Sequence, residues 1–560
     1  MMARRSGSAA QVDAGDRWPD AALLCIGGLA ILGTLVWVTG QVAALLSSGR
    51  WIDVGLSDMG TVIARLLSQP ADPAAAWPAR VGRDIPGPIA FYVVFAAVTG
   101  TAALLAAKAH SRWWTSGPHT SSSAWASRRD LRPLIVDSVP PGRLALGRVG
   151  RALVAAEERQ SVIVLGPTQS MKTSGFAIPS ILEWRGPVVA TSVKTDLVKD
   201  TIQARASGGA TWLFDPSGCT AMETARWSPL PQCADWREAQ RVASWLAGSA
   251  VRGESGIEQA EFWYTSAAKL LAPLLYAAAT SNRSISDVVR WVNTQEEDEV
   301  AAALADTGTP EALVAAKASW RRESRQKSSV YTTAETILIA YEDPEVARSA
   351  AATDFTADDL LDGGHHTLYV TAPSHEQRRL RPLFETLLHS VIGRAFELAT
   401  RLGRPLDPPL LVVLDEAANI APLPDLDTLA STASGHGIQL VSLFQDFSQI
   451  VNRYGERAPT VVNNHRGKIL LSGISDTQTL EYASRLLGDE EVLQSAVTKG
   501  YQGAQSTTRS TTLRSLAPAN VLRGIRPGEG VLVYGHLPPA RLRLRPWFAE
   551  RRRNGSRGTR

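Results

Sequence analysis

Three stretches carry side chains that together can handle phosphate. The first is Gly166-Pro167-Thr168-Gln169-Ser170-Met171-Lys172-Thr173-Ser174, which follows the β-branched run Ser161–Leu165 and opens a helical stretch to Trp184. A loop in that position can turn backbone N–H groups toward phosphate oxygens, and the helix N-terminus adds its partial positive charge. Lys172 is spaced to reach β- and γ-phosphates, and the Thr173 hydroxyl to ligate Mg2+. The second stretch is the apolar run Leu410–Leu414 followed by Asp415 and Glu416, a buried strand delivering two carboxylates at its C-terminal end. Asp415 suits a water-mediated hold on Mg2+, and Glu416 suits polarisation of an attacking water. The third is Ile438–Leu443, ending in Phe444-Gln445-Asp446. The Gln445 amide can sense a γ-phosphate there, or cap the helix that follows. One position departs from the phosphate-loop pattern G-x-x-x-x-G-K-[ST]: Met171 stands at its second glycine. A side chain there can crowd the phosphates or restrict the backbone.

These residues need a scaffold that aligns strand tips. Short apolar runs at Pro187–Thr191, Thr211–Phe214 and Thr367–Thr371 alternate with helical stretches, which predicts an α/β domain with a largely parallel sheet. Between Phe214 and Thr367 there is almost no strand signal. Phe262, Leu270, Leu271, Leu274, Leu275 and Ala278 recur at helical spacing and predict one apolar face, and Glu311–Tyr341 is a second long helical stretch. Lys317, Arg321, Arg322, Arg325 and Lys327 surround a single acid, Glu323, giving either a DNA-contacting face or a solvated one. His365-His366 lacks Cys or acidic partners at ligand spacing and reads as a surface turn.

The chain of 560 residues is long enough for more than one core. Its +4 charge is unevenly spread: Arg541–Arg560 holds eight Arg and one Glu, so the rest is slightly acidic. A uniformly basic nucleic-acid coat is therefore excluded, and so is global disorder, with 44% hydrophobic residues. Cys25, Cys219 and Cys233 have no zinc spacing and are too few for a disulfide framework. Ala21–Leu46 and Ile85–Ala107 run without a formal charge. As helices they reach roughly 39 and 35 Å, enough to cross a bilayer. Trp18, Trp51 and Trp113 lie just beyond their ends, where interfacial aromatics belong. The basic residues after the second run favour a cytoplasmic location for the bulk of the protein.

In this order the segments GPTQSMKTS, VVATSVKTD, LFDPSG, ARWSPL, LLVVLDEAANIAPLPDL and GIQLVSLFQDFSQI resemble the conjugative coupling ATPases of type IV secretion, the VirD4/TraG group. Further matches are Phe262-Trp263, Asp354-Phe355, Asn464, Arg514-Ser515-Leu516 and Pro538-Pro539. The resemblance covers about residues 143 to 548. It implies a RecA/FtsK-like P-loop NTPase domain with an inserted all-α domain and an N-terminal two-helix transmembrane module. The expected division is a cytoplasmic 1–20, a span at 21–46, an extracytoplasmic loop at 47–84, a span at 85–107 and a linker at 108–142. Nucleotide-binding parts at 143–220 and 351–548 then flank the helical 221–350, and a basic tail covers 549–560. The resemblance also implies ATP and Mg2+ as cofactors, a homo-hexameric ring at the inner membrane, and single-stranded DNA with its relaxase as cargo for a type IV secretion channel. Carried over by motif, Lys172, Asp415, Glu416 and Gln445 are catalytic, Gly166 to Ser174 bind nucleotide, and Thr173 and Asp415 hold the metal; Lys194 falls where relatives often carry a lysine. Ser434 replaces an arginine that many relatives carry, for which Arg453 or Arg466 can substitute. Met171 and Ser434 leave a non-hydrolysing nucleotide-binding adaptor open as one alternative; a second keeps the ATPase and changes the cargo to protein alone.

Overall fold

The computed structural model describes residues 18–114, 124–250, 257–420, 423–499 and 505–549. They belong to two compact units, Met1–Thr120 and Ser121–Arg560.

In the first unit, the helices Trp18–Ser48 and Pro88–Trp114 contain the two charge-free runs, and both are long and apolar enough to cross a membrane. The second begins three residues later than expected, because proline is favoured at the first helical position. Residues 47–84 are folded rather than an open loop. Ile52, Val54, Met59, Val62 and Trp77 bury themselves against Val36, Ala43 and Ala44 of the first helix. Trp77 lies directly on Gly40, where a Cβ would come within 2.1 Å of the indole. Gln41 holds the backbone of Ile52, accepting from its N–H at 3.1 Å and donating to its carbonyl at 2.9 Å.

Among the described residues the second unit has fourteen strands. β1 (Ile135–Val136), β2 (Ala145–Val149), β3 (Ala152–Ala155), β4 (Val162–Leu165), β5 (Val188–Ser192), β6 (Thr211–Phe214) and β7 (Thr367–Thr371) come first. β8 (Leu410–Leu414), β9 (Ile438–Phe444), β10 (Gly467–Leu471), β11 (Asp489–Lys499), β12 (Gln505–Ser515), β13 (Glu529–Tyr534) and β14 (Leu537–Arg543) follow. Twelve of them form one sheet in the order β1-β3-β2-β14-β13-β10-β4-β9-β8-β5-β7-β6, and β11 and β12 pair separately. The section β10 to β6 is parallel, and the five strands beyond β10 add on antiparallel.

Strand residues alternate between two cores. Val162, Val164, Val188, Ala190, Val413 and Leu443 face one side, and Ile163, Leu165, Val189, Leu368, Val412 and Leu440 the other. That second side is continuous with the helices between β6 and β7. Near-continuous apolar runs are what a parallel strand covered on both faces requires.

The helical stretch differs from expectation in two places. Helix Ile257–Thr280 is buried nearly all round from Ala267 to Ala278, whereas Phe262 is 50% exposed, so the expected single apolar face is a fully enclosed segment. Glu311–Tyr341 is not one helix: it divides into Pro310–Trp320 and Ser324–Leu338, with a short turn from Ile339. Both pieces bury a face against the 257–280 helix, and a straight rod of roughly 46 Å could not follow it throughout. The two ends of the insertion are clamped together, since the Arg226 guanidinium donates to Asp354 at 2.7 Å and the Arg226 N–H does so at 2.7 Å. In the basic cluster Lys317, Arg321 and Arg325 are exposed, while Lys327 is bound to Glu297.

The arginines before the expected basic tail are part of the fold. Arg541 and Arg543 lie within β14, and Arg545 is bound to Glu183 at 2.6 Å. Pro538-Pro539 stands inside this strand, where the pairing with β13 shifts register. Residues 550–560 lie outside the described residues.

Candidate nucleotide site

Strand order assembles the site. β4 lies between β10 and β9, and β8 lies beyond β9, so the tips of β4, β9 and β8 sit side by side at the C-terminal edge. The Gly166 N–H donates to the Phe444 carbonyl at 3.1 Å, tying the loop's first residue to the strand that ends at Gln445.

The loop 166–174 folds back on itself. A Cβ at Gly166 would meet Leu471 Cβ at 2.9 Å and Ser170 Oγ at 2.5 Å, so a larger residue there would force the loop to shift. Gln169 and Met171 both adopt the left-handed conformation, with φ of 67° and 66°. Met171 thus keeps the backbone shape for which glycine is usual, at a cost of roughly 1–2 kcal/mol for an L-residue. Its side chain does not enter the cradle: it packs on the core under the loop, its sulfur 3.4 Å from where a Cβ on Gly528 would stand. Ser170 Oγ is buried without a hydrogen-bond partner among the described residues. Residues Thr173–Ala177 then form a widened helical turn. Pro179 lacks the N–H that a regular helix would donate to the carbonyl of Gly175.

Lys172 is 6% exposed, and its ammonium donates to the carbonyls of Gly166 and of Pro167, the latter at 3.2 Å. Burial pulls its pKa below the usual lysine range, and the charges of Glu416 and Asp415 oppose that. Thr173 Oγ1 donates to the Asp415 carboxylate, 3.2 Å from both oxygens. Ser192, at the tip of β5, donates to Asp415 Oδ2 at 3.0 Å. Burial pushes the Asp415 carboxyl upward, against the Ser192 hydrogen bond. Glu416 has φ of 59°, a third left-handed non-glycine residue in this small volume. Its Oε2 accepts from Asn419 Nδ2 at 2.8 Å and from Gln445 Nε2 at 3.1 Å. Capping of the next helix falls to Asp446, which accepts from the Gln449 N–H at 2.7 Å, so Gln445 is left to the site.

All the motif residues therefore converge: loop, Lys172, Thr173, Asp415, Glu416 and Gln445. Lys194 is exposed nearby on the tip following β5. Ser192 and Asn419 belong to the same constellation and were not singled out from the sequence. Of the remaining candidates, Ser434 sits just before β9, at the opposite edge of the sheet. Arg453 is buried and 3.4 Å from Glu385. Arg466 precedes β10 at the same edge as Ser434, is half-exposed, and is bound to Glu157 at 2.8 Å. His366 is held locally, accepting from the Ala210 N–H at 2.9 Å and lying 2.9 Å from Asp362.

A phosphate loop after the central strand, an acidic strand tip two places away and a glutamine between them define a P-loop nucleotide-binding fold of the RecA-like kind. More narrowly, the chain belongs to the family described as type IV secretory system conjugative DNA transfer, which matches residues 126–551. The conjugal transfer protein TraG of Escherichia coli is 24% identical over 374 residues, covering 60% of this chain and 56% of that protein. VirD4 of Agrobacterium fabrum is 23% identical over 421 residues, covering 72% and 60%. The chain thus matches somewhat under two thirds of these relatives' length. In structure it is similar to the bacterial conjugative coupling protein TrwBdeltaN70, with a TM-score of 0.59 and 19% identity over 76% of this chain and 92% of that one. A second similar structure is the plasmid coupling protein TrwB in complex with ADP and Mg2+, with a TM-score of 0.57, 19% identity, and 76% and 94% coverage.

Proposed function

We propose that this protein is a membrane-anchored ATPase that drives single-stranded DNA, or a relaxase–DNA complex, into a type IV secretion channel. The observation that carries the reading is the Thr173–Asp415 and Glu416–Gln445 pair of contacts around one phosphate loop. Residues 143–220 and 351–548 serve as the nucleotide-binding parts, 221–350 as the helical part and 21–46 with 85–107 as the anchor.

The residues fit ATP and Mg2+. The two left-handed residues and the buried Ser170 hydroxyl form a cradle of donors, and Thr173 with Asp415 offers an all-oxygen pair suited to a hard cation. Bound ATP supplies the transferable γ-phosphoryl group and Mg2+ the charge that neutralises it. Lys172 is poised to exchange two carbonyl partners for phosphate oxygens. A divalent cation at Asp415 offsets the burial that raises its pKa. Because both amides hold Glu416 Oε2, Oε1 is the oxygen left to orient a water for in-line attack. In a ring with ATP between subunits, Arg466 is a better donor in trans than Arg453, whose guanidinium is buried in its own subunit.

The test is Mg2+-dependent ATP hydrolysis by the purified protein with and without single-stranded DNA. Lys172→Ala should abolish turnover; wild-type activity no higher than that variant would sink the enzymatic reading. DNA binding across a salt series separates nucleoprotein from protein-only cargo, since phosphate contacts give a steep salt slope.

A further inference from the structure

At the antiparallel end of the sheet, β2, β13 and β14 and the short helix Ala519–Arg523 surround a cleft of about 480 Å³. Arg148, Arg526, Arg541 and Arg543 line it, and Glu529 is the one carboxylate among its described lining residues. Glu529 is 3.7 Å from Arg543, too long for a strong pair, so the wall keeps a large positive excess. Arg541 lies over the ring of Trp125, 5.0 Å from its centroid, which fixes one guanidinium across the mouth. Val521, Leu522 and Ile525 add apolar surface to the lining.

We propose that this cleft binds the headgroup of an anionic glycerophospholipid, a ligand site separate from the nucleotide loop. Guanidinium groups match phosphate oxygens in geometry, and arginine is more weakly hydrated than lysine, so it gives up water readily. Arginines and apolar side chains in one cleft suit a ligand with a phosphate at one end and a glycerol ester at the other. Single-stranded nucleic acid calls instead for a track of aromatic platforms along a groove, and this cleft offers one indole. Trp125 also follows the second apolar helix, which ends at Trp114, by a short stretch of chain. If that helix is inserted, the tether keeps the cleft at a high effective concentration of headgroups. The proposal rests on the membrane-anchored reading for the source of the lipid, though not for the chemistry of the cleft.

The experiment titrates full-length detergent-solubilised protein with monomeric dihexanoyl phosphatidylglycerol by calorimetry. Dihexanoyl phosphatidylcholine, inorganic phosphate and a twenty-residue oligothymidylate (~20 nucleotides, longer than one cleft can hold) serve as competitors. The wild type should bind the glycerol lipid in preference to all three. Arg526→Ala with Arg541→Ala should weaken it by roughly thirty-fold, at about five-fold per arginine, while ATP affinity stays unchanged. The single variant Arg526→Gln, at an exposed position, should weaken it by several-fold and covers the case in which the double variant misfolds. Equal lipid affinity in wild type and variants overturns the proposal. So does inorganic phosphate binding as tightly as the lipid, or oligothymidylate binding that is the only affinity lost in the variants. Flotation with phosphatidylcholine vesicles is read separately: failure to float undermines the anchor, while short-chain lipid binding still judges the cleft.

Discussion

Replacing Met171 by glycine separates the backbone of the phosphate loop from its side chain. At φ of 66° the residue pays roughly 1–2 kcal/mol that glycine would not. Against that, glycine costs about 0.5–1 kcal/mol in unfolded-chain entropy. Loss of the half-buried thioether beside Gly528 costs on the order of 1 kcal/mol more. The contributions nearly cancel, so thermal stability should change by less than about 1 kcal/mol. Because the side chain points under the loop, affinity for Mg-ATP should shift by no more than about three-fold, or ~0.7 kcal/mol. Met171→Ile provides the contrast. A β-branched residue at this φ is a strong outlier, so both stability and nucleotide affinity should fall. Equilibrium titration with a fluorescent ATP analogue, alongside thermal denaturation, measures both quantities. A gain of ten-fold or more in affinity for the glycine variant, about 1.4 kcal/mol, would refute the reasoning. It would mean that the methionine obstructs the phosphates and would favour the non-hydrolysing adaptor.

Three further outcomes follow from the geometry. Asn419→Ala removes the 2.8 Å bond to Glu416 while leaving the loop intact, so kcat should drop roughly ten-fold with unchanged nucleotide affinity, as seen in single-turnover and binding assays. Arg466→Ala should lower turnover by up to about 10³ if it acts in trans, and inactive rings doped with Lys172→Ala subunits should partly recover. His465 is fully buried and pushed down to about 4 by burial, with its ring nitrogens 2.9 Å from Ser442 Oγ and 2.7 Å from the Val461 carbonyl. The unfolded imidazole takes up a proton below its ordinary 6.5, so this group's stability is complete above that pH and is lost as pH falls toward 4, about 3 kcal/mol in all. His465→Gln should flatten that share of the melting-temperature slope between pH 6.5 and 5.

Residues whose signal is local were readable from the sequence. Lys172, Asp415, Glu416 and Gln445 each stand at the tip of a short apolar run, and a strand tip puts its next residues at the C-terminal edge whatever the strand's neighbours are. Ser192 carries the same local signal, yet its meaning depends on β5 lying beside β8, a pairing between distant segments. Asn419 was within reach, since a residue three beyond Glu416 can fold back in a tight turn, as its N–H does to the Glu416 carbonyl at 2.8 Å. Arg541-Leu542-Arg543-Leu544 shows how composition can hide pattern. Counted with Arg541–Arg560 it is only part of a basic segment, while the strict alternation is that of a half-buried strand, with Leu542 and Leu544 2% and 4% exposed.

The conformation of Met171 bears on whether the site still works. Of the seven non-glycine residues with positive φ among the described residues, Gln169, Met171 and Glu416 lie in this one site. Strain of that kind persists only where the surroundings hold it, and here the holders are themselves buried: Ser170, Lys172, Asp415 and Glu416 are all 8% exposed or less. A loop released from phosphate binding would gain by relaxing Met171 toward negative φ, and nothing in its packing beneath the loop requires the left-handed turn. Left-handed residues set among right-handed ones, as at Gln169 and Met171, turn successive backbone N–H groups toward a common anion. A methionine that accepts a glycine's backbone while sending its side chain into the core therefore argues for a phosphate cradle kept in use rather than one decaying.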